Sequence, residues 1–489
     1  MTTRHDDDGI TRREFGTRLG AAAGIAIGSE LFGARVNAAP HVGGRILGAN
    51  DRVVTASIGI RGQGNALKRG FARLPNVEIK TLCDIDANLA PERINDTRLA
   101  DVTTFKPGFV QDLRRVMDDK DIDAVVIATP NHWHALATVW ALQAGKHVYV
   151  EKPASHTVWE GRQMVEATAR YNRIVQIGTM NRSRPAVRDA IKLIHDGGLG
   201  KVYMARGLCF KPRPSIGKYP DGPMKPGEQY KLNVMATTYE PAYDESYLSN
   251  VNYDLWLGPA PARPFNRNHF HYNWHWHWNY GNGDSGNQGP HQFDIARWGL
   301  QKQEHPVKIR STGGYFGEES SQETPNLQDS TFEYADGTIL EFGTRGGFTN
   351  DESGVRIGNL FYGTKGWLWI EEAGRTWQSY FGPKNEKGPG AAPSEPASQP
   401  TGLTTTELPH YQNFIDAIRA NDPKILACGV LDGHLSSALP HLGNISYRVG
   451  RQLQFDGKTE TFVNDKAADH LLTREYRKGF EVAHEYAGT

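Results

Sequence analysis

The chain has 489 residues, 38% hydrophobic and 22% charged, which is enough for two or three domains with a large buried core. Its 55 Lys and Arg balance 55 Asp and Glu with no basic block, which argues against nucleic acid and anionic membrane surfaces as partners. Cys83, Cys209 and Cys428 lie far apart and form neither a CxxC zinc pattern nor a disulfide framework.

The first 39 residues read as a twin-arginine export signal. Arg12 and Arg13 sit in "TRREFG", ahead of the apolar stretch "LGAAAGIAIGSELFG", and "VNAAP" offers small residues for cleavage near Ala38 or Ala39. The stretch is shorter than the roughly 20 apolar residues of a membrane span. The expectation is a mature chain without a stable span, exported to the periplasm or another extracytoplasmic space. That route carries folded proteins and suits an enzyme that acquires a cytoplasmic cofactor before it leaves.

Residues 50–175 read as an α/β nucleotide-binding domain. A strand over Val53 to Ile60 runs into a turn with Gly59, Gly62 and Gly64, then the helical "NALKRGFARL" and a second strand ending in Asp84. Glycines let the backbone approach a pyrophosphate at a helix N-terminus, and an acid about 20 residues later hydrogen-bonds the adenosine ribose. The spacing here is GxxGxG, and Arg61 in the loop could accept a 2′-phosphate, but Asp84 favours NAD over NADP. The strand "DIDAVVIATP", a helix from Asn131 (as N-cap) to Gly145, the strand "KHVYVEKP", the helical "SHTVWEGRQMVEATARYN" and the strand "RIVQIGT" continue an alternation that predicts a parallel sheet. Lys152 in "EKP" then stands at the carboxyl end of a strand, where open α/β sheets bind ligands. There it could exchange a proton with a substrate hydroxyl.

These motifs, with "CDID", "ATPNHWHA", "VEKP", "GTMNRSRPAVRDAI", "GNQGPHQFDIARW" and "HLSSALPHLGNISYRVGR", resemble the glucose–fructose oxidoreductase / inositol dehydrogenase / MocA family, written Gfo/Idh/MocA. The resemblance implies a Rossmann domain and, over 176–464, an α/β domain with a large, mostly antiparallel open sheet that forms the substrate pocket and a homo-oligomer interface. It implies that Gly59, Gly62 and Gly64 hold the pyrophosphate and Asp84 the ribose, with Arg61 a cofactor-binding residue of the same loop. Thr129, Pro130, Asn131 and His134 would line the cofactor channel, and Glu151 would contact the nicotinamide ribose. Lys152 would be catalytic, with Arg182 near nicotinamide or substrate. The family's sugar dehydrogenases resemble D-x-x-x-H where this chain has Asn287 and His291, so an amide that cannot titrate replaces an acid, and His291 would share the acid–base role with Lys152. Asp294 reads more as a structural pin than as a member of the site.

The second half agrees in its own pattern. "KVYMARGLCF", "QDSTFEYADGTILEFGTR" and "RIGNLFYGTKGWLWIEE" alternate like strands with Asp-Gly or Gly turns, Glu386 to Gly402 reads as an exposed loop, and amphipathic helices close the fold. The stretch from His269 to Trp298 is dense in His and Trp. Read as a strand, it puts His275 and His277 on one face and Trp274, Trp276 and Trp278 on the other, open to metal binding, packing or contact with sugar rings. A carbohydrate-contacting wall of the active site, with His275, His277 and Trp278 on it and no metal, is the expectation. The function that follows is NAD-dependent hydride transfer at a secondary hydroxyl of a sugar, glycoside or cyclitol. The alternatives are an NAD-dependent redox-neutral glycosidase and, from another class, a sugar-binding protein without turnover.

Overall fold

The computed structural model describes residues 52–229, 244–371, 376–392 and 407–483; the segment read as an export signal lies outside them. Six strands, β1 (Val53–Ile58), β2 (Val77–Cys83), β3 (Gly108–Val110), β4 (Ala124–Ile127), β5 (His147–Val150) and β6 (Val175–Ile177), form one parallel sheet in the order β3-β2-β1-β4-β5-β6. β1 and β4 are buried along their whole length, as a sheet with helices on both faces requires. The helix Asn131–Gln143 is buried nearly all round and follows Pro130; Asn131 is its first helical residue, so no side chain caps it and the expected N-cap stands one place off. In the helix Val158–Tyr171, Thr157 accepts from the Glu160 N–H and Glu160 accepts from the His156 N–H, a reciprocal box that fixes its start.

Ten further strands form the second sheet. They are β7 (Val202–Cys209), β8 (Lys308–Gly314), β9 (Leu327–Glu333), β10 (Ile339–Arg345), β11 (Ile357–Gly363), β12 (Gly366–Glu371), β13 (Trp377–Phe381), β14 (Glu386–Ala391), β15 (Leu453–Asp456) and β16 (Thr461–Phe462). Their order is β14-β13-β12-β11-β7-β10-β9-β8-β15-β16, with only the β7–β10 pair parallel. The helices Pro185–His195, Gly289–Gly299 and Val430–Val449 pack against it through Ile191, Phe293 and Leu442. Glu386 to Ala391, expected as loop, pairs with β13 instead. It is an edge strand, where Pro389 lacks an N–H without breaking an inner ladder.

The C-terminal segments return to the first sheet. Tyr411 and Phe414 of the helix Leu408–Ala420 pack with Leu67 and Phe71. Glu460 joins the two halves: His305 Nε2 at 2.8 Å, His434 Nε2 at 2.7 Å and Arg162 all donate to the same carboxylate oxygen. The Nδ1 atoms of both histidines are buried without a hydrogen-bond partner, so each ring carries its proton on Nε2. A metal on Nε2 would move that proton to an Nδ1 with no acceptor. The group therefore reads as a carboxylate hub. Among the described residues no helix is long and apolar enough to cross a membrane.

Candidate active site

A cavity of about 600 Å³ runs along the carboxyl ends of the parallel strands. At one end is the turn between β1 and the helix Gly62–Phe71. Gly59 has φ +80°, and a Cβ on Gly64 would stand 1.7 Å from the Gly59 carbonyl oxygen, whereas a Cβ on Gly62 would meet nothing within 4 Å. The sterically required glycines are thus 59 and 64, with the five-residue spread of the outer glycines in G-x-G-x-x-G; Arg61 takes the middle place. Asp84 accepts from the Ile60 N–H at 2.8 Å and the Asp86 N–H at 3.0 Å, which ties the turn to the end of β2. Burial raises the Asp84 carboxyl, and those two N–H groups oppose the rise. Two fixed glycines, a helix N-terminus and a ribose-side carboxylate fit a dinucleotide.

Gly64→Ala is expected to weaken NAD binding by about 2 kcal/mol, on the order of 30-fold, because backbone rather than a flexible side chain must yield. Gly62→Ala, whose added Cβ meets no protein atom within 4 Å, is expected to weaken it less. Equal affinities in a fluorescence titration of the two variants would contradict this frame.

Thr129, Pro130, Asn131, His134, Glu151 and Lys152 also line the cavity, as do Gly59, Arg61, Gly62, Gly64, Asp84, Asn287 and His291. His134 Nδ1 lies 2.6 Å from the Pro153 carbonyl and its Nε2 2.9 Å from the Thr129 carbonyl; burial lowers its pKa to about 4, so the neutral ring donates to one of the two. Burial pushes Glu151 up to about 7 against the pull of the Lys152 charge, and Gln63 Nε2 donates to it at 3.3 Å. Lys152 Nζ donates to the Asn287 carbonyl at 3.0 Å. Burial lowers its pKa, Glu151 opposes, and Lys211 and Arg213 add to the lowering. Asn287 therefore meets Lys152 through its backbone. His291 is kept neutral by burial and then by the Lys152 charge, and its Nδ1 has no hydrogen-bond partner.

The aromatic stretch is not a strand. His271 has φ +60°, Asn273–Trp276 form a single 3₁₀ turn, and a period of three replaces the period of two. His275 lines the cavity, its ring stacked on Trp274 and its Nδ1 2.6 Å from the Tyr272 carbonyl. Nδ1 thus carries the proton, leaving Nε2 as a lone pair. His277 and Trp278, expected at the substrate, are absent from the cavity wall. His277 turns toward the Asn268 carbonyl at 3.2 Å, Glu323 at 3.5 Å and the His269 ring at 4.3 Å; Trp278 lies under Arg448 at 5.1 Å.

Arg182, expected at nicotinamide or substrate, is also absent from the wall. It is buried and bidentate to Asp294 at 2.8 and 2.9 Å, and reaches Asp432 at 3.3 Å. Its neighbours Met180, Asn181 and Arg184 face the cavity instead, because the 3₁₀ turn Met180–Ser183 rotates successive side chains by a third of a turn. Asp294 also accepts from Ser436 Oγ at 2.7 Å, so it pins the helix Gly289–Gly299 to Val430–Val449. Asp294→Ala removes the bidentate partner of the buried Arg182, leaving it Asp432 at 3.3 Å, and is expected to cost about 3 kcal/mol in urea unfolding. A loss below about 1 kcal/mol would contradict the pin.

Sequence reading missed Gln63, Asn181, Arg184, Tyr272, Trp274, Glu407 and Phe480, all of which line the cavity. Phe480 comes from the far C-terminal end and Glu407 from just before a helix, so no local pattern marks either. Gln63 stands inside the glycine turn and was open to detection.

Two sequence models of one oxidoreductase family match the chain. The NAD-binding Rossmann fold matches residues 56–179, and the C-terminal alpha/beta domain matches 227–352 and 403–482. A glycosyl hydrolase family 109 protein of Saccharopolyspora erythraea is 29% identical over 202 residues, 39% of this chain and 44% of that protein. Levoglucosan dehydrogenase of Pseudarthrobacter phenanthrenivorans is 41% identical over 96 residues, 20% of this chain and 25% of that one. The chain thus spans less than half the length of these curated relatives. A solved structure of levoglucosan dehydrogenase in complex with NADH superposes with a TM-score of 0.60 at 19% identity, over 83% of this chain and 99% of that one. With the strand order, the glycine turn and both domain models in agreement over more than half its length, the chain belongs to the Gfo/Idh/MocA oxidoreductase family.

Proposed function

We propose that the protein oxidises a secondary hydroxyl of a sugar, glycoside or cyclitol with NAD as hydride acceptor. The observation that carries this reading is one continuous cavity lined both by the Gly59–Gly64 turn and by Lys152, His275 and His291. Bound nicotinamide would supply the hydride acceptor. Lys152, whose pKa burial lowers, would take the hydroxyl proton, with the Asn287 carbonyl holding its Nζ in place. Tyr272 and Trp274 offer aromatic faces to a sugar ring, and Asn181 and Gln288 offer hydrogen bonds to its hydroxyls.

The test is absorbance at 340 nm with NAD and a panel of sugars, glycosides and cyclitols. Stoichiometric NADH formation with one class supports dehydrogenation. A protein that binds such ligands and NAD but turns over none would leave the sugar-binding reading.

A second reading is redox-neutral hydrolysis of a glycoside by oxidation, elimination, hydration and re-reduction. The similarity to a glycosyl hydrolase family 109 protein, 29% identical over 202 residues, favours it. Release of the aglycone with catalytic NAD and no net NADH would select it over simple oxidation.

Export through the twin-arginine route belongs to the same proposal and rests on Arg12, Arg13 and the "VNAAP" segment. So does assembly of identical subunits through the sheet, supported by Tyr203, 49% exposed on the inner strand β7. Fractionation of expressing cells and light scattering test the two.

A further inference from the structure

Arg61 takes the place of the middle glycine in the pyrophosphate turn, beside the ribose-side carboxylate, where an arginine could also receive a 2′-phosphate. Its guanidinium is held: Nη2 donates to Asp86 Oδ2 at 3.0 Å and to the Tyr247 hydroxyl at 3.0 Å. Tyr247 in turn donates to the same Asp86 oxygen at 2.5 Å, and His271 Nε2 stands 3.4 Å from it. Asp86 is fully buried. Its other oxygen accepts from the Asn88 N–H at 3.1 Å and side chain at 2.9 Å, so the carboxylate is committed to this cluster.

Tyr247 belongs to the second half of the chain, in the short helix Glu245–Leu248. That segment is fastened across the end of β2. Ala87 N–H donates to the Asn250 carbonyl at 3.0 Å, Asn252 N–H to Ile85 at 2.9 Å, and Asn88 Nδ2 to the Tyr247 carbonyl at 2.9 Å. The hydroxyl is therefore delivered by backbone contacts rather than by a swinging loop.

Two carboxylates, Asp84 and Asp86, face one guanidinium at the adenosine end, and His271 adds no charge because burial, then the Arg61 charge, keeps it neutral. A ribose 2′-hydroxyl can donate to such a patch, whereas a 2′-phosphate meets net negative charge and an arginine already bound. We propose that Asp86 and Tyr247 form a latch that withholds Arg61 from a 2′-phosphate, so that selectivity for NAD over NADP depends on a residue from the C-terminal half. This rests on the reading of the cavity as a dinucleotide site, and goes beyond it in assigning the choice of nucleotide to the latch.

The experiment is equilibrium titration of the full chain with NAD and NADP, for the wild type, Asp86→Asn, Tyr247→Phe, and Asp86→Asn combined with Arg61→Gln. Asp86→Asn is expected to lower the ratio of the NADP to the NAD dissociation constant by about tenfold or more, since it removes a charge and releases the arginine. Tyr247→Phe, losing one hydroxyl, is expected to lower the ratio by about threefold. Adding Arg61→Gln should cancel the gain of Asp86→Asn. A ratio within twofold of wild type in both single variants overturns the latch, as does a gain that survives Arg61→Gln. If Asp86→Asn does not fold, Tyr247→Phe alone decides. A wild type that binds neither nucleotide would instead overturn the dinucleotide reading, so the two failures are distinct.

Discussion

Replacing Lys152 with Met is expected to lower turnover by ~10³-fold or more while NAD stays bound. Met keeps the length and apolar stem of the side chain and removes only the titrating nitrogen, so the cavity wall is preserved. The pyrophosphate turn is tied down by Asp84 through the Ile60 N–H rather than by Lys152. Lys152→Arg separates two explanations. It retains a positive charge but cannot release a proton near neutrality, so it should be as inactive as Met if proton transfer is the task. If positive charge alone were needed, Arg would restore much of the rate. Turnover and NAD affinity measured on the same preparations decide the matter, and retained turnover in Lys152→Met would remove Lys152 from the chemistry.

The parallel sheet was legible because its signals are local. β1, β2, β4, β5 and β6 are short apolar runs ended by Gly, Pro or Asp, and the helices Asn131–Gln143 and Val158–Tyr171 have the length a right-handed crossover needs, whereas the three-residue β3 went unread. Most of the cofactor end could be named for the same reason: a glycine turn and an acid 20 residues on lie within one strand–helix–strand unit. The substrate end was less legible, because its residues converge from remote segments. Trp274 and His275 lie in a 3₁₀ turn whose alternating His and Trp imitate a strand. A left-handed His271 breaks the extended path, and no residue pattern announces it. Arg182 shows a further limit. Its position after β6 suggested the ligand, but the partner that claims it, Asp294, is 112 residues away. Arg61 could be seen in sequence as a doubt about the nucleotide, yet the doubt is addressed by Tyr247, 186 residues on, whose contact no motif encodes.

Acid is expected to unfold the protein between about pH 6 and 5, earlier than its carboxylates alone would allow. The cause is the number of histidines folded into dry surroundings. Burial is the largest effect on each, and it lowers His132, His269, His275 and His441 to about 3 and His134, His147 and His410 to about 4. In the unfolded chain these groups titrate near 6.5. Between those values the unfolded state binds more protons than the folded one, so stability is fully present above about pH 6.5 and is lost as pH falls below it. Each such histidine costs about 1.4 kcal/mol per pH unit in that window, and several together match a typical total stability of about 5–15 kcal/mol within one or two units. Glu151 runs the other way. Its folded pKa of about 7 lies above the unfolded value, so its contribution grows as pH falls from 7 toward 4.5, but it is one group against many. Carboxylates held low by ion pairs, such as Asp96 beside Lys68 and Arg69, withdraw their support only below about pH 4, after the histidines have acted. Urea midpoints followed by tryptophan fluorescence at half-unit steps should fall steeply from pH 6.5. His441→Gln keeps a donor for the Ser155 carbonyl that His441 Nε2 holds at 3.0 Å, and should flatten the slope by one proton's worth, about 1.4 kcal/mol per unit. A urea midpoint unchanged from pH 7 to 4.5 would mean that these imidazoles are not held dry and neutral, His275 in the active-site wall among them.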